Sequence, residues 1–149
     1  MNEAVTAREI VVTRVLPAPR ELVWKAWTDP DHLARWWGAR GWSTAPSDVK
    51  LDVRPGGAFR VGSRSDGDGA EMTTVGVFRE VVPPERLVLE ESSDDAWHEG
   101  AVTDLRLAER SDGRTEMVLR VTVHTSDEAA RQAEVGLDSA IDRLEEVLR

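Results

Sequence analysis

Three histidines, His32, His98 and His124, are the only imidazoles in the chain, and no His-x-His or His-x₃-His pairing joins them. A metal centre needs three or four converging nitrogen, oxygen or sulfur ligands, and the chain has no cysteine to supply a thiolate. No metal and no cofactor are therefore expected. Gly56, Gly57, Gly67 and Gly69 fall in turn sequences rather than between a strand and a helix, so no nucleotide-cradling loop is present. The serines form no G-x-S-x-G element. The densest acid–base grouping is His98 and Glu99 beside Trp97 in the acidic stretch SSDDAWHEG, with Asp104 shortly after. A carboxylate or imidazole set against an indole has its pKa moved by desolvation, which suits proton transfer. The same stretch also reads as a solvated charge run anchored by Trp97. That second reading is favoured, and no catalytic residue is assigned.

A different chemistry is concentrated upstream. Five of the six tryptophans, Trp24, Trp27, Trp36, Trp37 and Trp42, lie in LVWKAWTDPDHLARWWGARGW. Each indole offers roughly 150–250 Å² of surface and one N–H that wants an acceptor. At about 25 cal/mol per Å², leaving all five in water forgoes on the order of 20 kcal/mol of gross transfer energy, as an upper bound. The cluster must pack against something: a core, a ligand in a cavity, or another protein.

The elements that hold these residues follow from periodicity. Arg8 to Leu16 is short and β-branched, a strand ended by Pro17 and Pro19. From Arg20, Leu22, Val23, Ala26 and Trp27 share one helical face. Asp29 caps a second short helix with Pro30 at its first position; Leu33, Trp36 and Trp37 follow at i, i+3 and i+4, and Gly38 stops it. Trp42, in the aperiodic segment GARGWSTAP, is expected in a loop or lid. From Val49 to His124 the chain alternates and turns. RPGG, SDGDG, the Pro83-Pro84 pair, the acidic loop and SDG separate strands, giving about seven in all, joined by links too short for parallel crossovers. Arg60 and Arg106, mid-strand, are either on the exposed face or cavity-facing anchors for an acidic ligand. A long helix, Ser126 to Arg149, closes the chain, with Thr125 and Glu128 in capping-box relation. Its inward stripe is small at first (Ala129, Ala130, Ala133, Gly136, Ala140) and bulky later (Ile141, Leu144, Val147, Leu148). On a curved sheet, such a helix leaves space at one end and seals the other, unless large sheet side chains fill the gap.

At 149 residues, one domain covering 1–149 is expected, large enough for a core without staples. The absence of cysteine fits a reducing compartment. MNEAVTAREIVV has no signal-peptide character, and no stretch reaches the ~20 apolar residues of a membrane span; the reading is a cytoplasmic protein. A net charge of −9, spread along the chain, argues against a nucleic-acid partner.

The runs APRELVWKAWTDPDHLARWWG, DVRPGG, GVFREVVPPERLVL and GLDSAIDRLEEVL resemble the family of homologues of the activator of the heat-shock-protein-90 ATPase, over about Glu9 to Leu148. The order of elements is that of the helix-grip fold of the START and pollen-allergen superfamily. The resemblance implies an α+β fold in which a seven-stranded antiparallel curved sheet wraps the C-terminal helix around a cavity, with two short helices after the first strand closing one end. Such sequences commonly place Gly-Trp in the last helix, where this chain has Gly136-Leu137, a shorter side chain that either enlarges the cavity or repacks it. The expected function is binding of a small hydrophobic or aromatic molecule, with Trp27, Trp36, Trp37, Phe59, Phe78, Trp97, Met117 and Ala133 lining the cavity and His98 and Arg60 as polar anchors. Two alternatives stay open. A protein-interaction module with a chaperone or homodimer partner would show a large exposed apolar patch, and a cyclase- or hydrolase-type enzyme would show a titratable pair facing one cavity.

Overall fold

Strand alternation decides which side of the sheet is buried. In the computed structural model, which describes residues 5–92 and 100–149, Met117, Leu119, Val121 and Val123 of the last strand are all buried, and the residues between them are wholly or partly exposed. The elements run β1 (Thr6–Leu16), α1 (Arg20–Thr28), α2 (Pro30–Leu33), β2 (Trp42–Ser43), β3 (Val49–Leu51), β4 (Ala58–Ser65), β5 (Glu71–Val82), β6 (Arg86–Glu91), β7 (Ala101–Glu109), β8 (Thr115–Thr125) and α3 (Asp127–Leu148). All pairings are antiparallel, in the order β1-β8-β7-β6-β5-β4-β2, with β3 also on β4. This is the α+β helix-grip arrangement. Among the described residues the sheet has eight strands rather than seven, because the segment expected as a loop contributes the two-residue strand β2, Trp42 pairing with Ser65.

Cross-strand register sorts the inner face into rows. One row is Val81–Leu87–Leu105–Leu119–Val12, running across β5, β6, β7, β8 and β1. The next row is Phe78–Leu89–Thr103–Val121–Ile10. Leu16, Val23, Leu105, Met117, Ile141 and Leu144 are fully buried at one end of this face, where α1 and the second half of α3 meet the sheet. Arg14 of β1 ties α3 down through a 2.7 Å ion pair with Asp142.

The RPGG turn has a steric cause. Gly56 takes φ +82°, and a Cβ on Gly57 would stand 1.9 Å from the Asp52 carbonyl oxygen. The Gly57 carbonyl meanwhile accepts the Phe78 N–H at 2.8 Å, and the Gly56 N–H donates back to the Phe78 carbonyl at 2.7 Å. Only glycine lets the turn lie this close to its own chain.

Three local expectations need correction. Leu22 is 52% exposed, since α1 turns only Val23, Ala26 and Trp27 inward. The second helix ends at Leu33 and continues as a turn in which the Trp36 and Trp37 N–H groups both donate to the Leu33 carbonyl. The cap of α3 is Ser126, whose hydroxyl accepts the Ala129 N–H at 3.2 Å, while Thr125 is the buried last residue of β8.

Candidate functional site

The Asp-Pro corner builds the first wall. Asp29 Oδ1 accepts the Asp31 and His32 N–H groups at 3.0 and 3.3 Å, and Pro30 opens α2 where a missing N–H costs nothing. Trp36 then folds back under α1, and its Nε1–H donates to the Ala26 carbonyl at 3.0 Å. Trp27 packs edge-on against it, with ring centroids 4.7 Å apart and planes at 66°; Trp37 lies 5.9 Å from Trp36 at 57°. Trp27 and Trp36 are buried at 5% and 1% exposure, whereas Trp37 and Trp42 are half-buried. The Trp27 N–H is buried and has no hydrogen-bond partner among the described residues.

These four indoles wall a cavity of ≈ 570 Å³ between the sheet and α3. Its floor is the row Leu89–Thr103–Val121–Ile10, extended by Leu119, Met72 and Thr74. Glu91, one inward step beyond Leu89, stands at its edge. The roof is the first half of α3: Ala129, Gln132, Ala133, Gly136, Leu137 and Ala140. Small roof residues explain the space, because a Cβ at Gly136 would meet nothing within 4 Å.

Two arginines, Arg143 and Arg40, fasten the wall to α3. The Arg143 guanidinium of α3 donates through Nη1 towards the carbonyls of Gly38 (2.9 Å), Trp42 (3.0 Å), Trp37 (3.3 Å) and Ala39 (3.3 Å). The Arg40 N–H adds a 3.0 Å bond to Ser139, and the Arg40 side chain pairs with Glu146. Residues 37–42 are thus pinned to α3, and Trp42 sits on a strand rather than on a free lid.

The residues singled out from sequence separate as follows. Trp27, Trp36, Trp37 and Ala133 come together on the cavity lining. Phe59 and Phe78 do not line it. They pack on each other, ring centroids 5.8 Å apart, buried on the inner face of β4 and β5 but away from the cavity lining. Met117 is fully buried at the sealed end, two residues along β8 from Leu119. Arg60 is on the outer face, since Phe59 and Val61 point inward, and it pairs in register with Lys50. Arg106 also faces outward, bonded to Asp104. Burial pushes the Asp104 carboxyl up, but the Arg86 and Arg106 guanidinium groups more than offset it and hold the carboxyl below its ordinary value. Asp104 therefore belongs to a surface ion network with Arg86 and Arg106. Trp97, His98 and Glu99 lie outside the described residues. Sequence reasoning missed Glu91, Gln132, Thr74 and Thr103, although strand parity carried two residues on from Leu89 and two back from Leu105 reaches Glu91 and Thr103.

Among the described residues, no group of three or more His, Asp or Glu side chains is placed to hold a metal ion, and Glu91 is the one titratable side chain in the lining. No helix among them is long and apolar enough to cross a membrane. Exposed large apolar side chains are spread over β1, α1, β5, β7 and α3.

The family model described as Activator of Hsp90 ATPase homolog 1-like protein matches residues 17–149, and the chain belongs to that family. Its structure is similar to protein CV1439 from Chromobacterium violaceum, at 28% identity and a TM-score of 0.82, covering 94% of this chain and 96% of that one. It is also similar to NE0264 from Nitrosomonas europaea, at 27% identity and a TM-score of 0.78, covering 94% and 93%. CalU16 from Micromonospora echinospora is similar at 27% identity and a TM-score of 0.69, covering 95% of this chain and 76% of that one. A comparison with curated proteins finds no match.

Proposed function

From that membership and this geometry, we propose that the protein binds a small, largely apolar or aromatic molecule between the sheet and α3. The observation that carries this reading is the ≈ 570 Å³ space walled by four indoles and roofed by small side chains. Ligand sites typically span ~300–1,000 Å³, mostly apolar, with a few polar groups that set orientation. Thr74, Thr103, Gln132 and Glu91 are those groups here. A cysteine-free, acidic chain fits work in the reducing cytoplasm.

The test is native mass spectrometry of the protein purified from its own host, with Ala133→Trp alongside. Ala133 lies on the roof, so an indole placed there fills the space. The wild type should carry a co-purified small molecule that the variant loses, while the two melt within a few degrees of each other. A large fall in melting temperature for the variant would show that the space is occupied by the protein itself, and the reading would be wrong.

A further inference from the structure

On the outer face of the sheet, away from the cavity, two cations stand where a sheet usually pairs opposite charges. Lys50 of β3 lies directly opposite Arg60 of β4 in antiparallel register, and both are exposed. Like charges in that relation destabilise a sheet. Other strand arginines hold carboxylates: Arg64 holds Glu71, Arg79 holds Glu90, and Arg86 holds Asp104. Among the described residues neither Lys50 nor Arg60 has such a partner. Arg60 faces Val75 on its other side, Asp52 is taken by Arg54, and Asp48 is bonded to neither cation. The pair lines an open hollow of ≈ 820 Å³ together with Ser47, Asp48, Arg64 and Thr73. Gly62, between Arg60 and Arg64 on the outward side of β4, adds no side chain to fill it.

We infer that this hollow binds a phosphate group, as the free ion or as a small phosphate monoester, between Lys50 and Arg60. A dianion there offsets a repulsion that the chain leaves uncompensated. The guanidinium fork matches two phosphate oxygens, and the ammonium adds a compact point charge. Ser47 and Thr73 bring hydroxyl donors to the same hollow. Asp48 opposes the anion, but Glu71 is neutralised by Arg64, so the local balance is positive. The net charge of −9 limits the ligand to a small one. At physiological salt charges are screened beyond ~8 Å, so an ion held between the two cations feels them foremost. A polyanion extending further would meet the carboxylates in excess over the rest of the surface.

The test is titration of the whole protein with inorganic phosphate and with phenyl phosphate at constant ionic strength, followed by amide NMR shifts. Saturable shifts confined to β3, β4, β5 and residues 43–48 are expected, with a Kd of about 1 mM or tighter. Lys50→Gln and Arg60→Gln should each weaken binding about tenfold. Lys25→Gln, an equal charge change on α1, should leave it unchanged. Tighter binding of phenyl phosphate identifies an ester as the ligand, and equal or tighter binding of inorganic phosphate identifies the free ion. Lys50→Glu sets a carboxylate opposite Arg60, so it should melt at or above wild type in phosphate-free buffer while losing the response to phosphate. That pairing of results separates a lost ligand from a damaged fold. Shifts that never saturate, shifts spread over the whole surface, or equal weakening by Lys25→Gln overturn the inference.

Discussion

The two halves of α3 lie on one sheet with one helical period, yet they do opposite things. In the second half, Ile141 and Leu144 are fully buried and close the core against Leu16, Val23 and Met117. In the first half, Ala129, Ala133 and Gly136 hold the same inward stripe and roof a void. Spacing decides which residues face the sheet; side-chain volume decides whether that face seals or encloses. A stripe at steps of three and four therefore predicts where a helix lies, while the size gradient along it predicts where the fold stays hollow.

Leu137 and Leu144 sharpen this contrast most, being the same residue type two turns apart on one face. Leu144→Ala should cost about 2–5 kcal/mol, as for core leucines that leave an unfilled space. Leu137→Ala, on the cavity rim and only partly buried, should cost about 1 kcal/mol or less. Urea denaturation of both decides it, and equal costs would mean that the first half is packed as tightly as the second.

The seam between the halves comes next. Arg143→Met keeps the aliphatic stem and removes the donor shared by four carbonyls. The expected loss is about 1–3 kcal/mol, with faster amide exchange confined to residues 37–42. Uniformly faster exchange across the sheet would show instead that Arg143 supports the whole core.

How much of this could be read from the chain itself depends on the physical cause of each feature. Strand limits are readable because alternation and Gly or Pro turns are local signals; Arg8 to Leu16 is one example, and the strand spans Thr6–Leu16. The Asp29-Pro30 corner is readable for the same reason. Leu22 and the strand at Trp42 are not, because each depends on partners outside its own element: α1 packs against Trp36, whose indole N–H donates to the Ala26 carbonyl, and Trp42 is held by Ser65 and Arg143. The cavity wall around Trp27, Trp36, Trp37 and Ala133 followed from size and spacing. Phe59, Phe78 and Met117, expected on the same wall, do face inward, but a face is not a position along it. Cross-strand register, which fixes the position, becomes legible only once the strands are paired.

A smaller effect comes from adding bulk to the roof. Ala133→Trp should change unfolding free energy by under about 1 kcal/mol, since filling space is far less costly than overpacking a full core. A loss of ~1–3 kcal/mol, measured by the same denaturation, would erase the difference between the two halves.

The smallest expected effect lies in the β7–β8 turn at the sealed end. The Arg114 guanidinium and its N–H, both bonded to Asp112, hold the Asp112 carboxyl down at about 2, against an ordinary 3.8. A lowered folded-state value means that this contribution is complete above pH 3.8 and fades as the pH falls towards about 2. The pair is exposed, so the effect is slight. Asp112→Asn should be marginally less stable than wild type at neutral pH and indistinguishable from it near pH 2. A difference that persists at acid pH would place its origin in the turn conformation rather than in the ion pair.

Arg143 also bears on the order of folding events. The backbone of residues 37–42 receives its donor from a side chain about a hundred positions further along the chain. Until α3 docks, that stretch has few acceptors satisfied except by water. The indole wall should therefore become ordered late, after the sheet and the sealed half of α3 have formed. In a pulse-labelling experiment, amides of residues 37–42 should gain protection together with those of α3 and after those of β7 and β8. The hollow half of the molecule would then be the last part assembled and, in native-state exchange, the first to come apart.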